Sequence, residues 1–193
     1  MTAYKHQLQG VMEEFYSYLN IDGMTMSRLS QKLKKIMASI GKNMFVMKSK
    51  ERSRHMTILV KRIDMALHIQ ELCAVNHITV SYQRLDAEVP NYYADVTKKH
   101  IHIRPTKNTG YYVSALHEIG HILGDNQTYN NTVKEREIGA WIWAMLNAKV
   151  WTDTADRVMS RALLSYGVSE EESREIQRTW NPCHRDDEQQ IAV

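Results

Sequence analysis

The chain has 193 residues, 43% of them hydrophobic and 24% charged, which is the composition of a globular protein with a core of its own and excludes a fibrous or largely disordered chain. Its two cysteines cannot build a disulfide framework. No apolar run approaches the roughly 18 residues of a membrane span, and residues 1–20 lack the pattern of a signal peptide. We therefore expect a cytoplasmic protein with no membrane partner.

The net charge of +3 is distributed unevenly, with a basic segment at residues 28–62. This segment contains eleven lysines and arginines and a single acid, Glu51, a local excess of ten positive charges. Such a segment is typical either of a solvated helix face with its linker, or of a surface that binds nucleic acid or a protein partner. The charge pattern leaves both interpretations open.

In chain order, the spacing of apolar residues first predicts two amphipathic helices, over 7–19 and 26–40, and then a longer helix over 51–75. Alternating and β-branched residues predict three strands, over 78–82, 92–96 and 99–104. Four further helices are predicted, over 111–123, 134–150, 153–166 and 169–180. Strands grouped in the middle of a helical chain indicate an α+β fold with a small antiparallel or mixed sheet. We place a helical N-terminal region at residues 1–50 and a second domain at residues 51–193.

The helix predicted over 111–123 contains an H-E-x-x-H motif, formed by His117, Glu118 and His121. Histidines four residues apart lie one turn above each other on the same helix face, so both imidazoles can bind one ion. Zinc favours imidazole nitrogens at about 2.0–2.1 Å, and Glu118 can reach a water molecule beside the ion. On the opposite face, apolar residues predict burial against the sheet, and Gly120 lets another backbone approach closely.

A catalytic zinc ion needs a third protein ligand and one open position. The metzincin continuation H-E-x-x-H-x-x-G-x-x-H would supply a histidine at position 127, but the chain has Gln127 there, and an amide is a poor zinc ligand. The next predicted helix begins with Glu135 and Glu137. We favour Glu137 because the small side chains of Ala140 and Ala144 leave space beside it. Glutamates in a first helical turn also stabilise the helix through its dipole, which would explain one of the two, and Glu135 remains the alternative ligand.

A strand, a turn, a helix with H-E-[IL]-G-H and a following helix with E-x-x-A-x-x-[FW]-A resemble the gluzincin-type zincins, in particular the compact ImmA/IrrE-like metallopeptidases of bacteria, their phages and mobile elements. The resemblance covers about residues 76–150 and departs from the family at Trp141, where asparagine is usual. It implies a zincin-like metallopeptidase domain with an active-site helix. It also implies Zn²⁺ bound by His117, His121 and Glu137, and Glu118 as general base and acid in hydrolysis of a peptide bond in a protein or peptide substrate.

Three further residues are candidates for substrate binding. His100 and His102 alternate along the strand predicted over 99–104, so both rings project from one side. By analogy with the zincins, that strand would pair with an extended peptide as an additional strand. Tyr129, between the two motif helices, could donate a hydrogen bond to a developing oxyanion.

A non-enzymatic function is the alternative to the metallopeptidase. In it, the basic segment 28–62 binds nucleic acid or a protein partner, and the zinc site is structural or inert.

Overall fold

The computed structural model describes residues 49–83 and 92–180, without the side chains of residues 49–60. The chain divides into two compact units, Met1–Val60 and Lys61–Val193. The helices predicted over 7–19 and 26–40, and most of the basic segment 28–62, lie outside the described residues. These helices, the domain boundary at residue 50 and the partners of the basic segment therefore stay predictions.

Five helices and one three-stranded sheet account for the regular structure of the described residues. In chain order they are α1 (Ser49–Val75), β1 (Thr79–Tyr82), β2 (Tyr93–Asp95), β3 (His100–Ile103), α2 (Thr109–Leu123), α3 (Val133–Asn147), α4 (Asp153–Ser165) and α5 (Glu170–Trp180). The α+β class expected from the sequence is confirmed. Helix α3 ends before its predicted end at residue 150, because the backbone N–H of Lys149 donates to the Tyr112 hydroxyl at 3.0 Å instead of to a helical carbonyl.

Strand β3 lies in the middle of the sheet, parallel to β1 and antiparallel to β2. Its Ile101 and Ile103 are fully buried, while His100 and His102 lie on the other face of the sheet. Because both edges of β3 are already paired, the prediction that strand 99–104 pairs with an extended peptide is wrong. The outer strands of the described sheet are β1 and β2.

Helix α2 is at the centre of the second unit, where it contacts β2, β3, α3 and α4. Side chains from α2, β3, α3 and α4 form the fully buried core of this unit. They include Tyr112, Val113, Leu116, Ile119, Ile101, Ile103, Met145, Met159 and Leu163. The apolar face predicted for α2 is thus the face that packs against the sheet. Among the helices of the described ranges, none has both the length and the apolar character needed to cross a membrane.

Candidate metal centre

Two glycines let helices α2 and α3 approach each other closely. A Cβ atom at Gly120 would overlap the carbonyl oxygen of Ala140 and lie 2.9 Å from its Cα atom. A Cβ atom at Gly139 would overlap the carbonyl oxygen of Asp125, in the loop between the two helices. Only glycine leaves room for backbone at this distance. The close approach predicted from Gly120 is therefore present, and it brings Glu137, one turn before Ala140, next to the histidine-bearing face of α2.

His117, His121 and Glu137 form a compact cluster in which each residue offers one ligand atom. The two Nε2 atoms of His117 and His121 lie 3.1 Å apart. Glu137 places Oε2 at 3.2 Å from His117 Nε2 and Oε1 at 3.5 Å from His121 Nε2. Two imidazole nitrogens and one carboxylate thus converge from two different helices on a single point.

These separations match the geometry that a small divalent ion requires. Tetrahedral coordination with bonds of about 2.0–2.1 Å separates neighbouring ligand atoms by about 3.3 Å. The two imidazole nitrogens lie 3.1 Å apart, and the Glu137 carboxylate approaches one with Oε2 at 3.2 Å and the other with Oε1 at 3.5 Å. Two imidazoles and one carboxylate are also a ligand set that leaves one zinc position open. This group of residues could hold a metal ion, and its ligand types and distances fit zinc.

Burying the Glu137 carboxylate costs free energy unless a positive charge lies beside it. Glu137 is buried, and its Oε2 atom accepts no hydrogen bond within the described part of the chain. A buried carboxylate oxygen without such a partner is disfavoured. Burial also lowers the pKa of His117, which favours the neutral imidazole that binds metal ions, and the neighbouring Glu137 opposes that shift. The electrostatics of the cluster therefore favour a bound cation.

Glu135, the alternative third ligand, is part of the cap of helix α3. Its Oε2 atom accepts a hydrogen bond from the Thr132 backbone N–H at 2.7 Å, and Thr132 Oγ1 accepts one from the Glu135 N–H at 3.2 Å. The hydrogen bond from the Thr132 backbone is the main cause that lowers the pKa of Glu135. Residues two positions apart on a helix point about 200° apart around its axis. Glu137 therefore faces the histidines while Glu135 stays exposed.

Glu118 lies beside the cluster, in the same cleft. It is 6% exposed, and burial together with the charge of Glu137 raises its pKa to about 8. A cation held by His117, His121 and Glu137 would act against this shift and favour the carboxylate form of Glu118, which can accept a proton.

The rings of the two histidines are oriented by different neighbours. The His117 ring stacks on the Trp141 indole, with centroids 4.3 Å apart and planes 21° from parallel. His121 Nδ1 instead lies 3.1 Å from Oε1 of Gln127. Trp141, where the sequence departs from the ImmA/IrrE-like pattern, thus contacts one candidate ligand, and Gln127 contacts the other.

A cleft of about 470 Å³ opens over the cluster. Its walls include Glu118, residues of β2 and four tyrosines, Tyr92, Tyr93, Tyr129 and Tyr166. Tyr129 is 96% exposed at its rim. Tyr166 was not found from the sequence, because it follows α4 and has no spacing relation to the motif. It lines the same cleft as Glu137, whose charge is the main cause that raises the pKa of Tyr166.

His100 and His102 do not belong to the described lining of this cleft. Their rings contact the hydroxyl of Ser81, at 2.9 Å from His100 Nε2 and 2.7 Å from His102 Nδ1, and the His102 ring stacks with Tyr93 at 5.2 Å. The structure therefore corrects the prediction that these two histidines bind substrate through strand pairing. The strand that reaches the cleft is β2, and Tyr129 remains a candidate.

Comparisons with protein-family models, with curated proteins and with solved structures found no match to this chain. The resemblance to the ImmA/IrrE-like metallopeptidases therefore rests on the sequence motifs and stays a prediction. What the structure establishes is an α+β unit with a buried His117, His121 and Glu137 group that could hold a metal ion, at the base of an open cleft.

Proposed function

We propose that this chain is a zinc-dependent metallopeptidase that hydrolyses a peptide bond in a protein or peptide substrate. The observation that carries the proposal is the convergence of His117 Nε2, His121 Nε2 and the Glu137 carboxylate at 3.1 to 3.5 Å, with Glu118 in the same cleft. A structural zinc site is closed by four protein ligands, whereas a catalytic one has three and faces solvent. Three ligands at the base of an open cleft support the catalytic kind.

The chain's own residues provide the proton transfers of amide hydrolysis. Zinc held by the three ligands would supply Lewis-acid activation of water and of the scissile carbonyl. The Glu118 carboxylate accepts a proton from the water molecule as its oxygen bonds to the carbonyl carbon. The resulting carboxylic acid then donates that proton to the amide nitrogen as the C–N bond breaks. The hydroxyls of Tyr129 and Tyr166, which line the cleft, are available to donate to the developing oxyanion.

The first experiment compares the wild-type chain with Glu118→Gln, both purified without chelator. We expect about one zinc ion per chain in each protein, because Glu118 is not among the three ligands. Both are then incubated with a peptide library prepared from a digested bacterial lysate, and mass spectrometry records new peptide ends. Glutamine cannot accept the proton, so cleavage should fall by about 10²–10⁴-fold. Equal cleavage by both proteins, or none by the zinc-loaded wild type, would contradict the proposal.

The non-enzymatic alternative, nucleic-acid or partner binding through the basic segment 28–62, stays a prediction. Within that segment the structure describes helix α1 from Ser49 onward but side chains only from Lys61. The cluster and the cleft favour the metallopeptidase over it, because an inert site has no need for Glu118 beside the ligands.

A further inference from the structure

Gln127 lies in the loop between the two helices of the metal centre and contacts both of them. Its Oε1 atom lies 3.1 Å from Nδ1 of His121 on α2, and its Nε2 atom lies 2.7 Å from the carbonyl oxygen of Arg136 on α3. We propose that Gln127 is a positioning residue, which holds His121 in the tautomer that binds metal and ties the two ligand-bearing helices together. This inference rests on the proposed zinc site but not on peptide hydrolysis.

The hydrogen bonds of Gln127 determine where His121 carries its proton. Gln127 Nε2 contacts two backbone carbonyl oxygens, those of Arg136 and, at 2.9 Å, Asp125. Carbonyl oxygens only accept, so this end of the amide must be the NH₂ group. The other end is then the amide oxygen, which must receive a hydrogen from His121 Nδ1. Neutral His121 is thereby left with its lone pair on Nε2, the atom that faces His117 and Glu137.

The backbone conformation on both sides of Gln127 places its side-chain amide between α2 and α3. Asn126 has a φ of 60°, in the left-handed region that asparagine tolerates better than most residues, and the chain turns there after α2 ends. Gly139 makes room on α3, since a Cβ atom at that position would overlap the Asp125 carbonyl and lie 3.2 Å from Gln127 Nε2. Because Arg136 directly precedes Glu137, the amide connects the His121 ring to the chain next to the third ligand.

The test compares Gln127→Ala with a matched control, Gln177→Ala. Gln177, on α5, also uses its Nε2 atom to join two helices. It donates to Ser160 Oγ at 2.8 Å and to the Asp156 carbonyl at 3.3 Å, both on α4 and away from the cluster. Zinc affinity is measured by chelator competition on the full chain. The His121 tautomer is read from ¹⁵N NMR of the metal-free full chain, with a His121→Gln spectrum for assignment.

We expect Gln127→Ala to lower the zinc affinity by about 10–100-fold, the usual effect of removing the partner of a ligand histidine. In the metal-free chain its His121 should also populate the Nε2–H tautomer, which the wild type should not. Gln127→Glu keeps an acceptor for Nδ1–H but has no donor for the Asp125 and Arg136 carbonyl oxygens, so it should favour the wild-type tautomer without restoring the link to α3. Gln177→Ala should change neither quantity.

Three outcomes would overturn the role of Gln127: an unchanged tautomer in Gln127→Ala, an unchanged zinc affinity, or an equal loss of affinity in Gln177→Ala. A wild-type chain that binds no zinc would instead refute the proposed function. The tautomer comparison in the metal-free chain would then still decide whether Gln127 positions His121, so the two failures are distinguishable.

Discussion

In the proposed metal centre, the histidine at the buried end and the histidine at the open end are oriented by different contacts. At the buried end, the His117 side chain is 10% exposed and stacks on Trp141, and its Nδ1 atom has no hydrogen-bond partner among the described residues. At the open end, the His121 side chain is 17% exposed and its Nδ1 atom pairs with Gln127. One ligand is oriented by the shape of its surroundings, and the other by a hydrogen bond.

This difference follows from where each ring lies. Stacking is effective at the buried end, where Trp141 is 2% exposed and belongs to the hydrophobic core. A loop close to solvent has no such core and fixes a ring more readily through a directed hydrogen bond. We therefore expect the orientation of the His117 ring to depend on the volume of Trp141, and that of the His121 ring to depend on the polarity of Gln127.

The largest expected effect is the loss of either histidine, which removes the difference between the two ends altogether. His117→Ala and His121→Ala each leave only two ligands, so both should be purified without zinc. Added zinc at about 100 times its dissociation constant should stabilise the wild type by about 2.7 kcal/mol, and should not raise the melting temperature of either variant. His100→Ala, at a residue outside the described lining of the cleft, should retain zinc. Stoichiometric zinc in both ligand variants would refute the assigned centre.

A smaller effect is expected at Trp141, which tests the dependence on volume. Trp141→Ala should destabilise the fold by about 3–5 kcal/mol, as for other large aromatic residues of a core. It should also lower the zinc affinity, because the His117 ring loses the surface that orients it. Trp141→Phe keeps an aromatic face and gives up no hydrogen bond, since Trp141 Nε1 has no partner in the described structure, so it should retain most of the affinity.

Met145→Ala is the control for Trp141, because Met145 is fully buried one turn further along α3. Met145→Ala should lower the free energy of unfolding by about 2–5 kcal/mol, which is comparable to the effect of Trp141→Ala. It should leave the zinc affinity unchanged. Melting temperatures and chelator competition measure the two quantities separately. If Met145→Ala lowered the zinc affinity as much as Trp141→Ala, the stacking contact would have no specific role.

The parts of this centre that could be predicted from sequence are those set by local periodicity. The helical repeat places His117 and His121 on one face, and small residues at Gly120 and Ala140 indicate the close approach that brings Glu137 to them. The order of the strands could not be predicted, because strand pairing depends on long-range tertiary contacts and not on the residues of strand 99–104 alone. The roles of Gln127 and Tyr166 also depend on tertiary contacts, with no motif spacing to indicate them.

The smallest expected effect is that of Glu135→Gln, and its comparison with Glu137→Gln tests whether both ends share one third ligand. Glu137 lies 3.2 Å from His117 Nε2 and 3.5 Å from His121 Nε2, so Glu137→Gln should weaken zinc binding at both ends together. Glu135→Gln should leave the zinc affinity unchanged, because that side chain is exposed and bonded to Thr132. Glutamine still accepts a hydrogen bond in a capping box, so the melting temperature should hardly change. Chelator competition on the two variants decides the matter: loss of zinc in Glu135→Gln and not in Glu137→Gln would mean that α3 is rotated by about half a turn from the orientation described.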